Sequence, residues 1–408
     1  MIFFTSCLSN YLSRALSLAE STLEHHPEAH FRIYLYDYKE ANLPNHQWVK
    51  DNLKNIHLPD HLSFHDSSAC IPVNSYFESR LNIVEACTAV KPFIFKSLLH
   101  TQELIIYLDP DIIVYSRIHD NNNPNWRLQL TPHILKPADR KAFGIISERI
   151  FTCFGIYNLG YLAIKPSQII AEFIDWWAES CDYFGVANIA AGLYVDQKFF
   201  DFAPAFIKET EVINHPGWNV AWWNLFCDGR KLVTTSRVRL SGNDYPLVFF
   251  HFSNIDSTNE EALVAKPLQS LKKHSSINLR LKSHSALDSI FSSYKKKLKR
   301  LDDQLPQQTL LSKRIKREYS LRLRLRRRFT DELYRMHHLH TQVERQSNKA
   351  SHHIIPSFSP PRSLLSSIIR LVFNLSRYPG WPLHFQKMMR AFIGNSLSPS
   401  LFNHANYW

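Results

Sequence analysis

The chain has 408 residues, a net charge of +12 and 45% apolar residues, a composition that allows a substantial core and suggests more than one domain. Its six cysteines are scattered without a CxxC pair, which argues against a zinc ribbon or redox motif and favours reduced, mostly buried thiols. The N-terminus has no basic segment followed by a long apolar run, and no window holds the ~18 apolar residues of a membrane-spanning helix. We therefore expect neither a signal peptide nor a transmembrane segment.

The first part of the chain alternates short apolar strands with helices. Strands are predicted at 1–7, 31–37 and 104–108, and helices at 10–26 and 84–100, the first with Asn10 as its N-cap and the second with a break near Pro92. Apolar strands that alternate with helices predict an α/β fold, in which a parallel sheet is covered on both faces. Such sheets bind ligands beyond the carboxyl ends of their strands.

Two carboxylates follow the last of these strands, in the stretch ELIIYLDPDIIVYS. Pro110 has no N–H to continue a strand ladder, so the chain must turn there and the side chains of Asp109 and Asp111 can converge. Carboxylate oxygens suit Mg²⁺ or Mn²⁺, and such an ion would keep open positions for phosphate oxygens. The alternative is an Asp-Pro turn whose acids are solvated.

Five motifs place that pair in a wider pattern: YLDPDIIVY, GIYNLGYLAI, VDQKFF, PGWNVAWWN and FFHFS, in this order. The set resembles bacterial glycosyltransferases of the GT-A fold, in the glycogenin-like and lipopolysaccharide-galactosyltransferase-like (family 8-like) branch, and it covers residues 1–256. The resemblance implies a nucleotide-diphospho-sugar transferase fold with a mainly parallel central sheet between helices.

The resemblance also implies a metal site. By this resemblance, Asp109 and Asp111 would hold a divalent ion, Mn²⁺ or Mg²⁺, that bridges the diphosphate of a nucleotide-sugar. His251 would be a third ligand of this ion. The alternative for His251 is a core histidine bonded to a carbonyl. Asn254 stands where the family often has glycine, which permits backbone conformations that cost asparagine more.

Two further residues are implied to take part in the reaction. Lys91 would neutralise the departing nucleoside diphosphate, its alternative being a solvated helix lysine. Asp196 would lie beside the transferred sugar or the acceptor, with Gln197 next to it in the substrate site. The alternative for this polar pair is a helix cap.

Other candidates would contact substrate. Asn158 and Gly160 are implied to line the sugar pocket, the alternative being a glycine-bounded edge strand. Thr5 and Asp37 end the first two strands, where they would contact the base or ribose. An aromatic segment supplies a candidate wall that stacks on the sugar, with amides that would bond its hydroxyls, the alternative being plain core: Trp218, Trp222 and Trp223 with Asn219 and Asn224.

The rest of the chain differs in charge. Residues 1–256 contain 21 basic and 27 acidic residues, whereas residues 257–408 contain 27 and 9. We predict a basic helical extension at 257–346, a Ser/Pro-rich linker at 347–363 and an apolar, aromatic tail at 364–408. The excess of basic residues favours attachment of this part to an anionic membrane face. The alternatives are binding of an anionic acceptor, a solvated extension and binding of nucleic acid, for which the sequence contains no recognised module.

The implied function is metal-dependent transfer of a sugar from a nucleotide-sugar to a saccharide or glycolipid acceptor, in surface polysaccharide or lipopolysaccharide synthesis. A cytoplasmic location is expected, with peripheral attachment to the inner face of the membrane. Donor, acceptor, linkage and the choice between retaining and inverting chemistry stay open. The alternatives are a metal-dependent phosphoesterase, which needs further ligands for a second metal, and a non-catalytic sugar-binding protein of the same fold.

Overall fold

The structure is a computed structural model, and the residues it describes are 1–36, 61–72, 81–118, 124–138, 148–255 and 285–305. All of them belong to one unit, Met1–Arg317. Asp37, the predicted linker at 347–363 and the predicted tail at 364–408 lie outside the described residues.

The strands of the described residues are β1 (Ile2–Cys7), β2 (His30–Leu35), β3 (Leu62–Asp66), β4 (Ile105–Leu108), β5 (Ile112–Val114), β6 (Leu128–Pro132), β7 (Tyr157–Ile164), β8 (Ala187–Asn188), β9 (Leu193–Tyr194), β10 (Thr210–Val212), β11 (Val220–Ala221), β12 (Lys231–Thr234), β13 (Arg237–Leu240), β14 (Asn243–Pro246) and β15 (Phe249–His251). The helices are α1 (Leu12–His25), α2 (Ile83–Ala89), α3 (Lys91–Leu98), α4 (Glu148–Phe154), α5 (Gln168–Phe184), α6 (Ala203–Phe206), α7 (Trp222–Cys227) and α8 (Ser285–Asp302). Short 3-10 turns occupy Ser9–Tyr11, Ser67–Cys70, Leu99–Thr101, Ile189–Ala191 and Gln197–Phe202.

A seven-stranded sheet in the order β10-β6-β7-β4-β1-β2-β3 forms the centre. Strands β3, β2, β1 and β4 are parallel neighbours, and β10 is parallel to β6. Only β7 reverses direction, against β4 and β6. The predicted α/β class with a mainly parallel central sheet is confirmed, and Asp109, which follows β4, lies at the carboxyl edge where such sheets bind ligands.

Both faces of this sheet are covered by helices. Alternate side chains of β1 point to opposite faces, so Phe4 packs with α2, α3 and α5, whereas Phe3 packs with α1. The predicted break between helices near Pro92 is confirmed, because α2 ends at Ala89 and α3 begins at Lys91. The expectation that Asn10 caps α1 is wrong: Asn10 lies in a 3-10 turn, and the N-cap residue is Tyr11 without a side-chain cap.

The alternative of an edge strand for the GIYNLGYLAI motif is also wrong. Strand β7 lies inside the sheet, between β4 and β6, and all its residues but the first are buried. Its backbone is therefore hydrogen-bonded on both sides, which fixes Asn158 opposite Thr131 of β6 and Gly160 beside Asp109.

After β4 the chain passes from the central sheet to a second sheet, β11-β15-β5. Strand β15 runs antiparallel to β5, and His251 is paired with Ile112. The N–H of Val114 in β5 donates to the Ser21 hydroxyl of α1 at 3.2 Å, so a side chain replaces a missing strand partner. The turn at Pro110 thus joins the two sheets. The pairing with Ile112, the first residue of β5, places His251 directly beside this turn.

Helix α8 lies within residues 257–346, for which a basic helical extension is predicted. Its apolar side packs on β15 and the residue after it: the Phe291 ring lies 5.8 Å from that of Phe250, and Tyr294 stacks on Phe252 at 4.0 Å. Its basic side pairs with α1, where Lys297 Nζ lies 3.0 Å from Glu20. The helix therefore packs against the residues that lead into and out of His251, while the domain boundary at 256 stays a prediction.

All six cysteines lie within the described residues as free thiols, and three of them are buried: Cys7, Cys181 and Cys227. No helix among the described residues is long and apolar enough to cross a membrane.

Candidate functional site

The two carboxylates after β4 converge as the proline turn predicts. The Asp109 N–H donates to the Gly160 carbonyl at 2.9 Å, and its own carbonyl accepts from Ile112 N–H at 3.1 Å, so both sheets hold the turn. Asp109 and Asp111 remain partly accessible to solvent, with 25% and 18% of their side chains exposed. Their oxygens can therefore be reached by a ligand from outside.

His251 completes a three-residue cluster. Its Nε2 lies 3.1 Å from Asp111 Oδ1 and 3.6 Å from Asp109 Oδ2, and one ligand atom from each of the three residues lies within 4.8 Å of the others. The ring is buried and touches side chains rather than a carbonyl, unlike the core histidine of the alternative. The structure thus brings together all three predicted metal ligands.

The donor set fits a hard divalent ion. Two carboxylates and one imidazole are ligands for Mg²⁺ or Mn²⁺, and ion–oxygen bonds of about 2.0–2.1 Å put adjacent ligands about 3 Å apart. The 3.1 and 3.6 Å separations around His251 are of that size. Three protein groups leave coordination positions for other oxygens.

The cluster is electrostatically coupled. Burial opposes a proton on His251, but Asp111 and then Asp109 outweigh it and raise the pKa of the imidazole. Burial likewise opposes charge on Asp111, but the His251 ring and the Arg14 guanidinium lower the pKa of that carboxyl. Arg14 lies 4.5 Å above the ring of Tyr11, and neither was among the sequence candidates. Their sequence signal is their place after β1, Tyr11 at the end of the 3-10 turn and Arg14 in the first turn of α1.

Lys91 lies between two carboxylates. Its Nζ is 3.1 Å from Asp196 Oδ2 and 3.4 Å from Asp109 Oδ1, and it is 4.4 Å above the ring of Tyr107. Only 3% of Lys91 is exposed, so the alternative of a solvated helix lysine is wrong. Burial opposes its charge, but Asp109 and Asp196 outweigh burial and raise the pKa of Lys91. Lys91 therefore places a fixed positive charge beside the metal ligands.

Tyr107 is a second partner of Asp109 that the sequence candidates lacked. Its hydroxyl donates to Asp109 Oδ1 at 2.6 Å. Burial, and then the charge of Asp109, raise the pKa of Tyr107 well above its ordinary value, so it remains a donor. In the sequence it is only one apolar-strand residue among several, which is why the pattern does not single it out.

Asp196 is buried at the other side of Lys91. Burial raises the pKa of its carboxyl although Lys91 opposes this. It makes no side-chain cap to the turn that follows, so the helix-cap alternative does not hold for Asp196. Val195 has φ +42°, a conformation that β-branched residues rarely adopt, and Trp177 Nε1 donates to the Asp196 carbonyl at 3.0 Å. Local backbone strain and a buried indole together fix this carboxylate.

Asn158, Gly160 and Gln197 are adjacent. Gln197 Oε1 accepts from Leu159 N–H at 3.0 Å and from Asn158 Nδ2 at 3.4 Å. Asn158 Oδ1 accepts from Gly160 N–H at 3.2 Å and contacts His251 Nδ1 at 3.2 Å. A Cβ at Gly160 would lie 2.6 Å from the His251 ring, so the close approach of the ring requires glycine there.

The other substrate candidates are buried, and their contacts with sugar or base stay predictions. Thr5 lies at the carboxyl half of β1 with an unpartnered hydroxyl. Trp218 packs edge-on against Tyr161 at 5.1 Å. Asn224 is fully buried and donates to the Asn219 carbonyl at 2.7 Å, and Asn219 itself has φ +48°. Asn254 has φ +63°, the conformation for which glycine is favoured at that position.

His133 is a buried residue near the site that no sequence motif marks. It follows β6, stacks on Phe151 at 4.9 Å and lies 3.3 Å from the Asn158 amide through Nε2. The indole of Trp223 donates to its carbonyl at 3.2 Å and packs edge-on against the His251 ring at 5.4 Å. Burial lowers the pKa of His133 to about 4, so the ring is neutral.

Comparison with known proteins finds no matching family model. The uncharacterized protein YfnF of Bacillus subtilis (strain 168) is 27% identical over 185 residues, 43% of this chain and 59% of YfnF. YfnD of the same strain, also uncharacterized, is 24% identical over 270 residues, 64% of this chain and 79% of YfnD. The match thus spans about three fifths of the length of the first relative.

Solved structures similar to the chain are glycosyltransferases. One is the galactosyltransferase LgtC in complex with donor and acceptor sugar analogues, which is 13% identical, with a TM-score of 0.38 over 75% of this chain and all of that one.

Proposed function

We propose that the chain is a glycosyltransferase that binds a nucleotide-sugar through a divalent metal ion and transfers the sugar to a saccharide or glycolipid acceptor. The observation that carries the proposal is the cluster of Asp109, Asp111 and His251 at the carboxyl edge of a mainly parallel sheet. Oxygen and imidazole ligands on an accessible edge suit an ion that also binds a diphosphate.

When bound, the metal ion would supply Lewis-acid stabilisation of the departing nucleoside diphosphate. Asp109 and Asp111 would hold it with their carboxylates, and His251 with Nε2. Tyr107 would orient Asp109 by donating a hydrogen bond to Oδ1, and Lys91 by forming an ion pair with the same oxygen. Lys91 would add a second positive charge to the same region. Because its ion pairs already hold it in position, no rearrangement is needed during the reaction.

Asp196 would then act near the transferred sugar. Its Oδ2 is held 3.1 Å from Lys91 Nζ, which also pairs with Asp109, and it is buried. A carboxylate there would stabilise positive charge that develops at the anomeric carbon, or accept a proton from the acceptor hydroxyl, in a retaining or an inverting reaction respectively.

A panel of nucleotide-sugars with Mn²⁺ or Mg²⁺ tests this function. We expect donor-specific release of nucleoside diphosphate, lost on chelation of the metal and reduced at least about 100-fold in Asp111→Asn. Asp244→Asn is the matched control, because that carboxylate pairs with Arg239 on the surface.

Three results would count against the proposal. Unchanged turnover in Asp111→Asn would remove the metal site. Hydrolysis of simple phosphate esters in place of nucleotide-sugars would indicate a phosphoesterase, for which the described residues offer no second cluster of metal-ligating groups. Sugar binding without turnover would indicate a sugar-binding protein.

The finer assignments are surface polysaccharide or lipopolysaccharide synthesis at the cytoplasmic side of a membrane, with residues 257–408 attached to an anionic surface. The attachment is supported by the excess of 27 basic over 9 acidic residues in that part. The apolar side of α8 is buried and its Lys297 pairs with Glu20, so this helix would meet lipid headgroups through exposed residues such as Lys296. Co-sedimentation with anionic and neutral liposomes tests attachment, and equal binding to both would contradict it.

A further inference from the structure

We propose that Arg14 binds the diphosphate of the nucleotide-sugar, as a second cation beside the metal site. The inference rests on the proposed function and deepens it, because it assigns a phosphate-binding residue on α1, a helix from which no site residue was predicted. Its basis is the alignment of α1 with β5, which brings Arg14 level with Asp111.

Helix α1 and the chain from β5 onward run side by side in the same direction. The Ser21 hydroxyl accepts from Val114 N–H at 3.2 Å. One turn further along the helix, the His25 carbonyl accepts from Arg117 Nη1 at 3.1 Å. Residue numbers therefore rise together on both elements, which fixes their relative direction and register.

Towards the start of both elements, the same alignment carries Arg14 to Asp111. Arg14 precedes Ser21 by nearly two helical turns, so it lies on the same face of α1 and about 10.5 Å closer to the start of the helix. Asp111 precedes Val114 by three residues, which is about 10 Å along an extended chain. The two distances match, so Arg14 and Asp111 lie beside each other.

The charges agree with this placement. Burial opposes charge on Asp111, but the His251 ring and then the Arg14 guanidinium lower the pKa of its carboxyl. The other carboxylate of the cluster, Asp109, pairs with Lys91 at 3.4 Å. Each of the two carboxylates therefore has its own cation nearby.

The guanidinium of Arg14 is held in a geometry that suits an anion. It lies 4.5 Å from the centroid of the Tyr11 ring, which is 41% exposed, and Arg14 itself is half-buried. Stacking on a ring uses the flat face of a guanidinium, whereas its N–H donors point outward in the plane and match two oxygens of a phosphate. Arg14 can therefore stack on Tyr11 and donate to a phosphate at the same time.

The balance of charge explains why a diphosphate would need this residue. Asp109 and Asp111 would balance a divalent ion, and Lys91 is balanced by Asp196, 3.1 Å away. A doubly negative diphosphate would then meet no net positive charge among these groups. Arg14 supplies a positive charge that they lack, and hydrogen bonds between a guanidinium and a phosphate are among the strong ones in proteins.

Two probes distinguish phosphate binding from support of the metal ligands. Mn²⁺ alone is followed by the electron paramagnetic resonance of the free ion, and the complex of Mn²⁺ with inorganic pyrophosphate by calorimetry. In Arg14→Met the complex should bind about 10- to 100-fold more weakly, the usual effect of losing hydrogen bonds to a charged group. Mn²⁺ alone should bind as in the wild type or up to about threefold more tightly, because a cation that repels it is gone. If Arg14 only held Asp111 in place, both probes would bind more weakly.

Further variants of the full chain complete the test. Arg14→Lys keeps the charge but loses the planar fork, so the pyrophosphate complex should bind about three- to tenfold more weakly. Arg14→Gln replaces Arg14→Met if the methionine variant does not fold. The control is Arg300→Met, which removes a cation that pairs with Glu20 of the same helix α1 at 3.1 Å and should leave both affinities within about twofold.

The inference is overturned if Arg14→Met binds the manganese–pyrophosphate complex as the wild type does, if it loses affinity for Mn²⁺ alone to the same extent, or if Arg300→Met loses as much. Failure of the proposed function gives a different result. A wild-type protein that binds the complex through Arg14 but transfers no sugar contradicts the proposed function alone, and one that binds neither probe contradicts both.

Discussion

Lys91 and Asp196 form a buried ion pair, 3.1 Å between Nζ and Oδ2, with 4% and 2% of their side chains exposed. The same ammonium lies 3.4 Å from Asp109, so one lysine joins the proposed metal site to the carboxylate proposed to act on the sugar. A buried charge that loses its partner is costly, because water cannot replace the lost interaction.

Replacing Lys91 by Met should therefore lower the free energy of unfolding by about 3–5 kcal/mol. The double variant Lys91→Met/Asp196→Asn should recover part of this loss, because no unpaired charge remains at Asp196. Urea unfolding at pH 7 measures both. The control is Lys96→Met on the same helix, whose pair with Asp175 is exposed and should contribute less than about 1 kcal/mol. An equal loss of unfolding free energy in Lys91→Met and Lys96→Met would show that the buried pair of Lys91 and Asp196 contributes no more than the exposed one.

Gly160→Ala should weaken metal binding about tenfold or more. The added Cβ would lie 2.6 Å from His251 Cε1 and 2.7 Å from Asn158 Oδ1, so the imidazole or the amide must move. Mn²⁺ titration measures the change. Gly192→Ala is the control, because a Cβ there meets nothing within 4 Å while its φ of +73° imposes the usual backbone strain. If Gly160→Ala binds Mn²⁺ with wild-type affinity, the His251 ring is not confined by β7.

Strand-end rules explain why Asp109 and Asp111 could be predicted as site residues, because both follow a buried strand of the parallel sheet. His251 could be added only through the resemblance to a known family, since its strand belongs to the second sheet. The burial of Lys91 could not be predicted in this way, because a lysine on an amphipathic helix has the same local pattern whether it faces solvent or a carboxylate. Its partner Asp196 is 105 positions away in the sequence, as the two residue numbers show.

Other features depend on contacts that no local pattern encodes. His133 follows β6 in an irregular segment, and its contacts are with the amide of Asn158 and the ring of Phe151. The antiparallel direction of β7 could not be predicted either. An apolar strand that is buried on both faces has the same sequence pattern whether it runs parallel or antiparallel to its neighbours. Asn10 has the residue type of an N-cap, but a 3-10 turn precedes the helix and moves its start.

Stability should decrease as the pH falls from about 6.5 to about 4, partly because of His26. Burial, and then the nearby Arg117 guanidinium, lower the pKa of His26 from 6.5 to about 4, and its Nε2 accepts from Ile118 N–H at 3.0 Å. In that range the unfolded chain binds a proton that the native ring does not, so acid favours unfolding, by up to about 2–3 kcal/mol for this residue.

The measurement is urea unfolding at several pH values between 7 and 4. His26→Gln offers an acceptor without a titrating ring, so its free energy of unfolding should depend less on pH than that of the wild type. His100→Gln, at an exposed position, should leave the dependence unchanged. The same slope in His26→Gln and wild type would show that the buried ring does not contribute to acid sensitivity.

Phe291→Ala should destabilise the fold that contains the metal site, although Phe291 lies in the basic part of the sequence. Its ring is fully buried and packs edge-on against Phe250 and Phe252, on either side of His251. Removing a buried phenylalanine costs about 3–5 kcal/mol through lost contacts and the cavity left behind. Thermal unfolding and Mn²⁺ titration measure the effect, with Lys296→Ala on the exposed side of the same helix as control, expected within about 0.5 kcal/mol. If Phe291→Ala unfolds at the wild-type temperature, the folded unit ends near residue 256 as the charge pattern predicts; a large loss means that the helix belongs to it.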